Sequence, residues 1–212
     1  MVVSITLLAI TYFLIDYNKI VINSLNDHSS YRMKWMREFV GFRVLEWFLV
    51  HPSGEVHLNE LARELEISPG SAKEYCDRLA EDGLISERAM GNLRLFRLKR
   101  EDFAAREILR AYHILRLKDL GAEVIAEVCT SLAVRGSFAS GNLDEHSDLD
   151  LLVIGEESDV DRYRILELEP ALGREAQLTV IPYYRWEAMK NEGDRFAESV
   201  LRNHVLIKGV EL

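Results

Sequence analysis

Apolar positions along this chain switch rhythm several times. From Trp35 to Val50, residues Phe39, Phe42, Val44, Leu45, Phe48 and Leu49 fall mainly on one broad side, the spacing of a helix that stops before His51, Pro52 and Gly54. Val56 and His57 fit a very short strand, and Asn59 to Glu66 reads as a second helix with Leu61, Ala62 and Leu65 inward. Ser68 can cap the next helix and Pro69 suits its first position. That third helix, Pro69 to Asp82, places Ala72, Tyr75, Cys76 and Leu79 on one face and stops at Gly83. Residues 84–98 alternate around Gly91-Asn92 as a hairpin. A longer helix over Glu101 to Lys118 follows, with Ala104, Ile108, Ala111 and Leu115 recurring on a face that Phe103 and Ile114 widen. Gly121 to Glu127 reads as a shorter helical stretch.

The remaining pattern alternates strands and helices. Leu132 to Arg135 and Leu149 to Ile154 are strand-like runs, with a tight turn at Gly136-Ser137 after the first. A helix from Asp159 to Leu168 should end near Pro170, with Ala176 to Ile181 as the next strand. Trp186–Lys190 and Arg195–Arg202 read as helices, and His204–Ile207 as a closing strand. The fold class expected is α+β, with a mixed sheet in the C-terminal part.

Residues 2–15, VVSITLLAITYFLI, are an apolar run shorter than the roughly 20 residues of a membrane span. They lack the basic start of a signal peptide. Three readings stand: a buried or subunit-pairing element, a weak membrane anchor, or a gene-model extension ahead of a start at Met33 or Met36. No stable membrane association is expected.

Charge divides the chain further. The net −9 lies wholly in residues 101–212, which carry 13 basic and 22 acidic side chains, while residues 1–32 and 33–100 are each neutral. Cys76 and Cys129 lack metal-ligand spacing and read as buried small hydrophobes in a reducing, cytoplasmic setting. The division expected is an apolar extension over 1–32, a first domain over 33–100, connecting helices over 101–128 and a second domain over 129–212.

The order helix, short strand, helix, turn, helix, hairpin over residues 33–100, with LARELEISPGSAKEYCDRLAEDGLI at its centre, resembles the winged helix-turn-helix family. That resemblance implies a third helix entering the DNA major groove and a wing lying across the backbone. Lys73 and Arg78 are the basic candidates on the third helix, which also carries four acidic residues. The wing, Ser86 to Arg100, is more basic: Arg88, Arg94, Arg97, Lys99 and Arg100 stand against Glu87 alone. Double-stranded DNA is the expected partner, with a homodimer supplying enough contact surface.

The strongest chemical pattern lies in SLAVRGSFASGNLDEHSDLDLLVIG, residues 131–155. Asp148 and Asp150 are two apart at the start of a strand, so both carboxylates lie on one face. Such a pair repels unless a cation lies between, and hard oxygen ligands suit Mg²⁺ or Mn²⁺. This segment resembles the DNA polymerase β type of nucleotidyltransferase, in its minimal branch: Gly136-Ser137, then Ser147-Asp148-Leu149-Asp150. The resemblance implies a small α/β domain, Asp148 and Asp150 as catalytic metal ligands, and nucleotide contacts from Gly136, Ser137, Ser140 and Arg135. An NTP, with ATP the first choice, would be substrate or effector. The fusion of the two modules is similar to a group of archaeal proteins read as transcriptional regulators.

Two departures from the pattern stand out. Minimal members read G-S-x-A-R-G, whereas Ser140 occupies the position of that Arg here. The third carboxylate expected on a later strand is also missing: Gln177 or Thr179 stands there, and Glu175 lies further back. Two functions therefore remain open. One is Mg²⁺-dependent transfer of NMP from an NTP to a hydroxyl acceptor. The other is DNA-binding transcriptional regulation, with a degenerate transferase domain that senses or binds nucleotide.

Overall fold

A computed structural model describes residues 35–212. The apolar extension 1–32 and Met33 lie outside the described residues. The chain forms a mainly helical N-terminal region with a small sheet, followed by a small α/β domain.

The N-terminal region runs α1 (Val40–Val50), β1 (Glu55–His57), α2 (Leu58–Glu64), α3 (Pro69–Glu81), β2 (Ile85–Met90) and β3 (Leu93–Leu98). The last two form a hairpin, and β1 adds to it antiparallel in the order β1-β3-β2. The helical signal from Trp35 is interrupted. Met36–Glu38 is one 3₁₀ turn and Phe39 is extended (φ −87°, ψ 121°), so the α-helix starts at Val40. Ser68 caps α3 by accepting from Ser71 N–H, with Pro69 at the start of the helix. Val44, Phe48, Leu61, Ala72, Cys76, Ile85 and Phe96 are buried together, while Tyr75 and Leu79 are half-buried at the edge of that core.

A long helix, α4 (Phe103–Asp119), then crosses to the C-terminal part. Its buried face is Ala105, Leu109, Tyr112, His113 and Leu117, not the expected Ala104–Ile108–Ala111–Leu115 stripe; Phe103 is 72% exposed and Leu115 40%. The face is turned by one residue, about 100°, because two amphipathic side chains find partners inside. Tyr112 donates to Glu46 Oε1 at 3.0 Å, and His113 Nε2 meets Leu49 C=O at 3.1 Å. Gly121, in the left-handed region at φ 70°, follows α4, and only a 3₁₀ turn, Ala122–Val124, forms where a helix to Glu127 was expected.

The C-terminal domain comprises β4 (Ser131–Arg135), α5 (Gly136–Ser140), β5 (Leu149–Ile154), α6 (Arg162–Leu172), β6 (Ala176–Ile181), α7 (Tyr183–Glu192), α8 (Arg195–Arg202) and β7 (Val205–Gly209). The sheet order is β6-β5-β4-β7, with β5 and β6 parallel and the other pairs antiparallel, so the sheet is mixed as expected. Two local expectations fail. The Gly136-Ser137 turn opens a short helix, and Pro170 sits within α6 instead of ending it. Pro170 forfeits a bond to the carbonyl of Leu166, a residue on the exposed side, and Gly173 stops the helix three residues later.

The sheet separates two apolar clusters. Leu149, Leu151 and Val153 face a large core continuous with Leu109 and Tyr112 of α4 and with Val44 and Phe48 of α1. Leu152 and Ile154 face the other way, packing with Ile181, Trp186, Ala197 and Val200 beneath α7 and α8. Asp150, one residue before Leu151, belongs to this second face by alternation.

Candidate functional site

The strand registers assemble the site. Arg135 on β4 stands opposite Asp150 on β5, and Asp150 stands beside Gln177 on β6. Paired residues on neighbouring strands point to the same side of a sheet, so Arg135, Asp150, Gln177 and Thr179 share one face. Asp148, in the same alternation, is exposed just before β5 begins.

Arg135 Nη2 lies 2.9 Å from Asp150 Oδ1, and the same nitrogen is 3.4 Å from Thr179 Oγ1. The guanidinium also lies 5.3 Å from the centre of the Phe196 ring. Gly136 follows directly with φ +68°, and a Cβ there would collide with Asp150 Oδ2 and come within 3.1 Å of Asp150 Cγ. Glycine is thus required twice over, by the left-handed backbone and by the carboxylate pressed against its Cα. Burial pushes the Asp150 carboxyl above its ordinary pKa; Arg135 pulls it down, and the charge on Asp148 raises it again.

Ser137 and Ser140 lie in α5. The Ser140 hydroxyl donates to Ser137 C=O at 3.2 Å and accepts from Asn142 N–H at 3.4 Å, so local backbone engages it on both sides. The Asn203 carboxamide, between α8 and β7, oriented with nitrogen toward Ala139 C=O (3.2 Å) and oxygen toward Ser140 N–H (3.3 Å), fixes the same segment from outside. Arg135, Gly136, Phe196, Ser199, Val200 and Asn203 line a cavity of ≈ 110 Å³.

The loop leading to Asp148 is held from several directions. Asp144 accepts from the Ser147 hydroxyl and His146 N–H, both at 3.0 Å, which holds its carboxyl below the usual range. Arg174 donates to the carbonyls of Asp144 and Ser147 and lies over the Phe138 ring at 5.4 Å. Glu145 reaches the other module: its Oε1 accepts from Ser53 N–H at 2.8 Å and Gly54 N–H at 3.1 Å. Burial pushes the Glu145 carboxyl up, but hydrogen bonds from backbone N–H groups, those of Ser53 and Gly54 among them, outweigh it and leave the pKa lowered. Glu145, Arg174 and Asn203 carried no signal in the sequence, because their partners are 27 or more residues away and are backbone atoms.

Among the described residues, no group of three or more His, Cys, Asp or Glu is placed to hold a metal ion. Gln177 occupies the position beside Asp150, Thr179 follows it on the same face, and Asp150 is already paired to a guanidinium. The residues do not fit a two-metal centre of three carboxylates.

The basic residues expected to meet DNA are largely paired within the protein. Lys73 bonds Asp77 at 2.7 Å and Arg78 bonds Glu74 at 2.7 Å, both along one face of α3. Arg94 bridges Asp77, at 2.6 Å, and Glu87; Lys73 and then Arg94 hold the Asp77 carboxyl below its usual range, and Arg94 does the same for Glu87. Arg88 pairs with Glu55. Arg97 is exposed and bonds the Ser86 hydroxyl at 3.3 Å, and among the described residues it makes no ion pair within 4 Å. Of the wing's five basic side chains, Arg88 and Arg94 are therefore compensated, while Arg97, Lys99 and Arg100 make no ion pair within 4 Å among the described residues.

Residues 117–207 match the family model of the nucleotidyltransferase domain, which covers less than half of the chain. None of the curated proteins compared with the chain matches it. Among solved structures, HlyU from Vibrio cholerae N16961 is 17% identical, covering 47% of this chain and 92% of that one at a TM-score of 0.31. A mutant of ZitR from Lactococcus lactis in complex with DNA is 16% identical, covering 52% and 78% at 0.33. The transcriptional regulator BldR from Sulfolobus solfataricus is 13% identical, covering 59% and 85% at 0.33. At such scores these likenesses carry no argument about this chain. Among the described residues, no helix is long and apolar enough to cross a membrane.

Proposed function

We propose that this chain is a DNA-binding regulator of winged helix-turn-helix form whose nucleotidyltransferase domain binds nucleotide without transferring it. The observation that carries this reading is the side chain beside Asp150: a Gln, where transfer chemistry needs a third carboxylate. Gln177 is neither a base for an acceptor hydroxyl nor a strong ligand for a hard cation. The proposed nucleotide contacts are Gly136, Ser137, Ser140 and Arg135, with Asp148 and Asp150 at the mouth of the site. The proposed DNA contacts are α3, through Lys73 and Arg78, and the wing, through Arg88, Arg94 and Arg97. The division at 33–100, 101–128 and 129–212, a homodimer and a cytoplasmic setting belong to the same reading.

The competing reading, transfer of NMP from an NTP to a hydroxyl, is favoured by the matched domain and by the two carboxylates on one face. Labelled NTPs distinguish the two. Binding of ATP by calorimetry, with no label incorporated into protein, RNA or small acceptors, supports the sensor. Incorporation that Asp148→Asn abolishes would establish the transferase instead.

A further inference from the structure

The contact between Arg135 and Asp150 bears directly on which ions this site accepts. It is set by backbone register: the two residues are opposite one another on adjacent antiparallel strands, so their side chains emerge side by side on one face. The guanidinium is then fixed by three neighbours: Asp150 Oδ1 at 2.9 Å, Thr179 Oγ1 at 3.4 Å, and the Phe196 ring centre at 5.3 Å. Its Nε is buried without a hydrogen-bond partner among the described residues, so the group is also largely withdrawn from water. An arginine does not lose its proton under these conditions. The charge at Asp150 is therefore permanent and can be moved only by displacing the side chain.

The second oxygen of Asp150 lies against backbone on one side. Oδ2 packs so tightly against Gly136 that a methyl group there would collide with it. A hard dication requires oxygen ligands at about 2.0–2.1 Å in a near-octahedral shell. Here one oxygen of the central carboxylate is spent on a guanidinium, and Gly136 stands against one side of the other. A dication brought to Asp150 would also stand within a few ångströms of a fixed positive charge.

We propose that Arg135 is the resident cation of this site and excludes divalent metal from the Asp148–Asp150 pair. Arg135 is then the residue that sets ion specificity: the two carboxylates share the charge of a side chain, where a metal site would share that of Mg²⁺. This deepens the reading of a non-transferring domain and rests on placing its site at Asp148 and Asp150. The test, however, needs no nucleotide, so the two can fail separately.

The experiment is a titration of the full chain with MnCl₂ alone, followed by the electron paramagnetic resonance signal of free Mn²⁺. Wild type is expected to take up Mn²⁺ only weakly. Arg135→Gln, which keeps a polar side chain of similar reach, is expected to bind it about tenfold or more tightly. Arg135→Gln with Asp150→Asn should lose that gain, and Arg135→Lys, which retains a cation, should stay at the wild-type level. Tight Mn²⁺ binding by wild type that Asp150→Asn removes would overturn the assignment, and this arm does not depend on how well any Arg135 variant folds. Equal affinity of wild type and a folded Arg135→Gln would overturn it as well.

Discussion

At Gly136 two requirements meet in one residue. Its φ of +68° lies in the left-handed region, and its missing Cβ leaves room for the Asp150 carboxylate. Gly136→Ala should therefore destabilise the chain by about 2 kcal/mol or more, from backbone strain and collision together. Combining it with Asp150→Ala should recover the collision part and leave the strain. Thermal melts of the four proteins of that double-mutant cycle check this, and additive losses would show that the two residues do not interact.

His113 is a second residue whose surroundings dictate a measurable behaviour. It is 3% exposed, with Nε2 on Leu49 C=O and its ring edge-on to Phe138 at a centroid distance of 5.4 Å. Burial first, then the nearby Arg174 charge, push its pKa down to about 4. The folded state keeps the imidazole neutral, while the unfolded chain takes up a proton near pH 6.5. The stability associated with His113 is complete above pH 6.5 and is lost as pH falls toward about 4. Over that window the loss is of the order of 3 kcal/mol. Urea unfolding between pH 7 and pH 4 should show this slope, and His113→Gln, which can still donate to Leu49, should flatten it. An unchanged slope in the variant would assign the effect to the carboxylates instead.

Among the elements, the loop from Asn142 to Asp148 has the most connections. Arg174 pins it at Asp144 and Ser147, Glu145 reaches Ser53 and Gly54 after α1, and Arg100 at the end of the wing donates to the Ser53 hydroxyl at 2.8 Å. A movement at Asp148 is thus one short loop away from the turn that feeds β1, and β1 pairs with the wing strand β3. Glu145→Ala leaves the Ser53 N–H without its acceptor, while Gly54 N–H keeps His51 C=O at 3.0 Å, and should cost about 1–3 kcal/mol. Hydrogen exchange at Ser53 should accelerate in this variant, while amides in the centre of β5 stay protected. Unchanged exchange at Ser53 would mean that water replaces the carboxylate at no loss.

Across the whole molecule, charge compensation matters more than net charge. Arg88 and Arg94 are neutralised by Glu55, Glu87 and Asp77, and Lys73 and Arg78 by neighbours on α3. Any DNA affinity should accordingly rest mainly on Arg97, Lys99 and Arg100, and its salt dependence should be shallower than the number of basic residues suggests. Arg97→Ala should weaken binding of a DNA duplex and reduce the slope of log K against log salt by about 1. Arg88→Ala should reduce the slope less, since Arg88 is already held by Glu55 and is less available to a phosphate. Fluorescence anisotropy over a salt series measures both, and absence of binding at low salt would leave the N-terminal module as a protein-interaction block.

Local order was legible without coordinates. Ser68 and Pro69 marked the start of α3, Gly91-Asn92 marked the hairpin, and alternating apolar runs located β5 and β6, because caps, turns and strand alternation depend on neighbours within a few residues. The same holds for the pairing of Asp148 and Asp150 on one face, and for the missing acid at Gln177. Where periodicity failed, the cause was tertiary. The stripe on α4 turned by one residue because Tyr112 and His113, each carrying a polar group, found Glu46 and Leu49 C=O more than sixty residues away. Pro170 remained in α6 because its lost hydrogen bond lies on the exposed side. The state of the candidate site belongs to this second class. The order of residues placed two carboxylates beside a phosphate-type turn, but strand register placed Arg135 against one of them. Register is a property of two segments brought together by the core, so folding, not spacing along the chain, decided which cation Asp150 keeps.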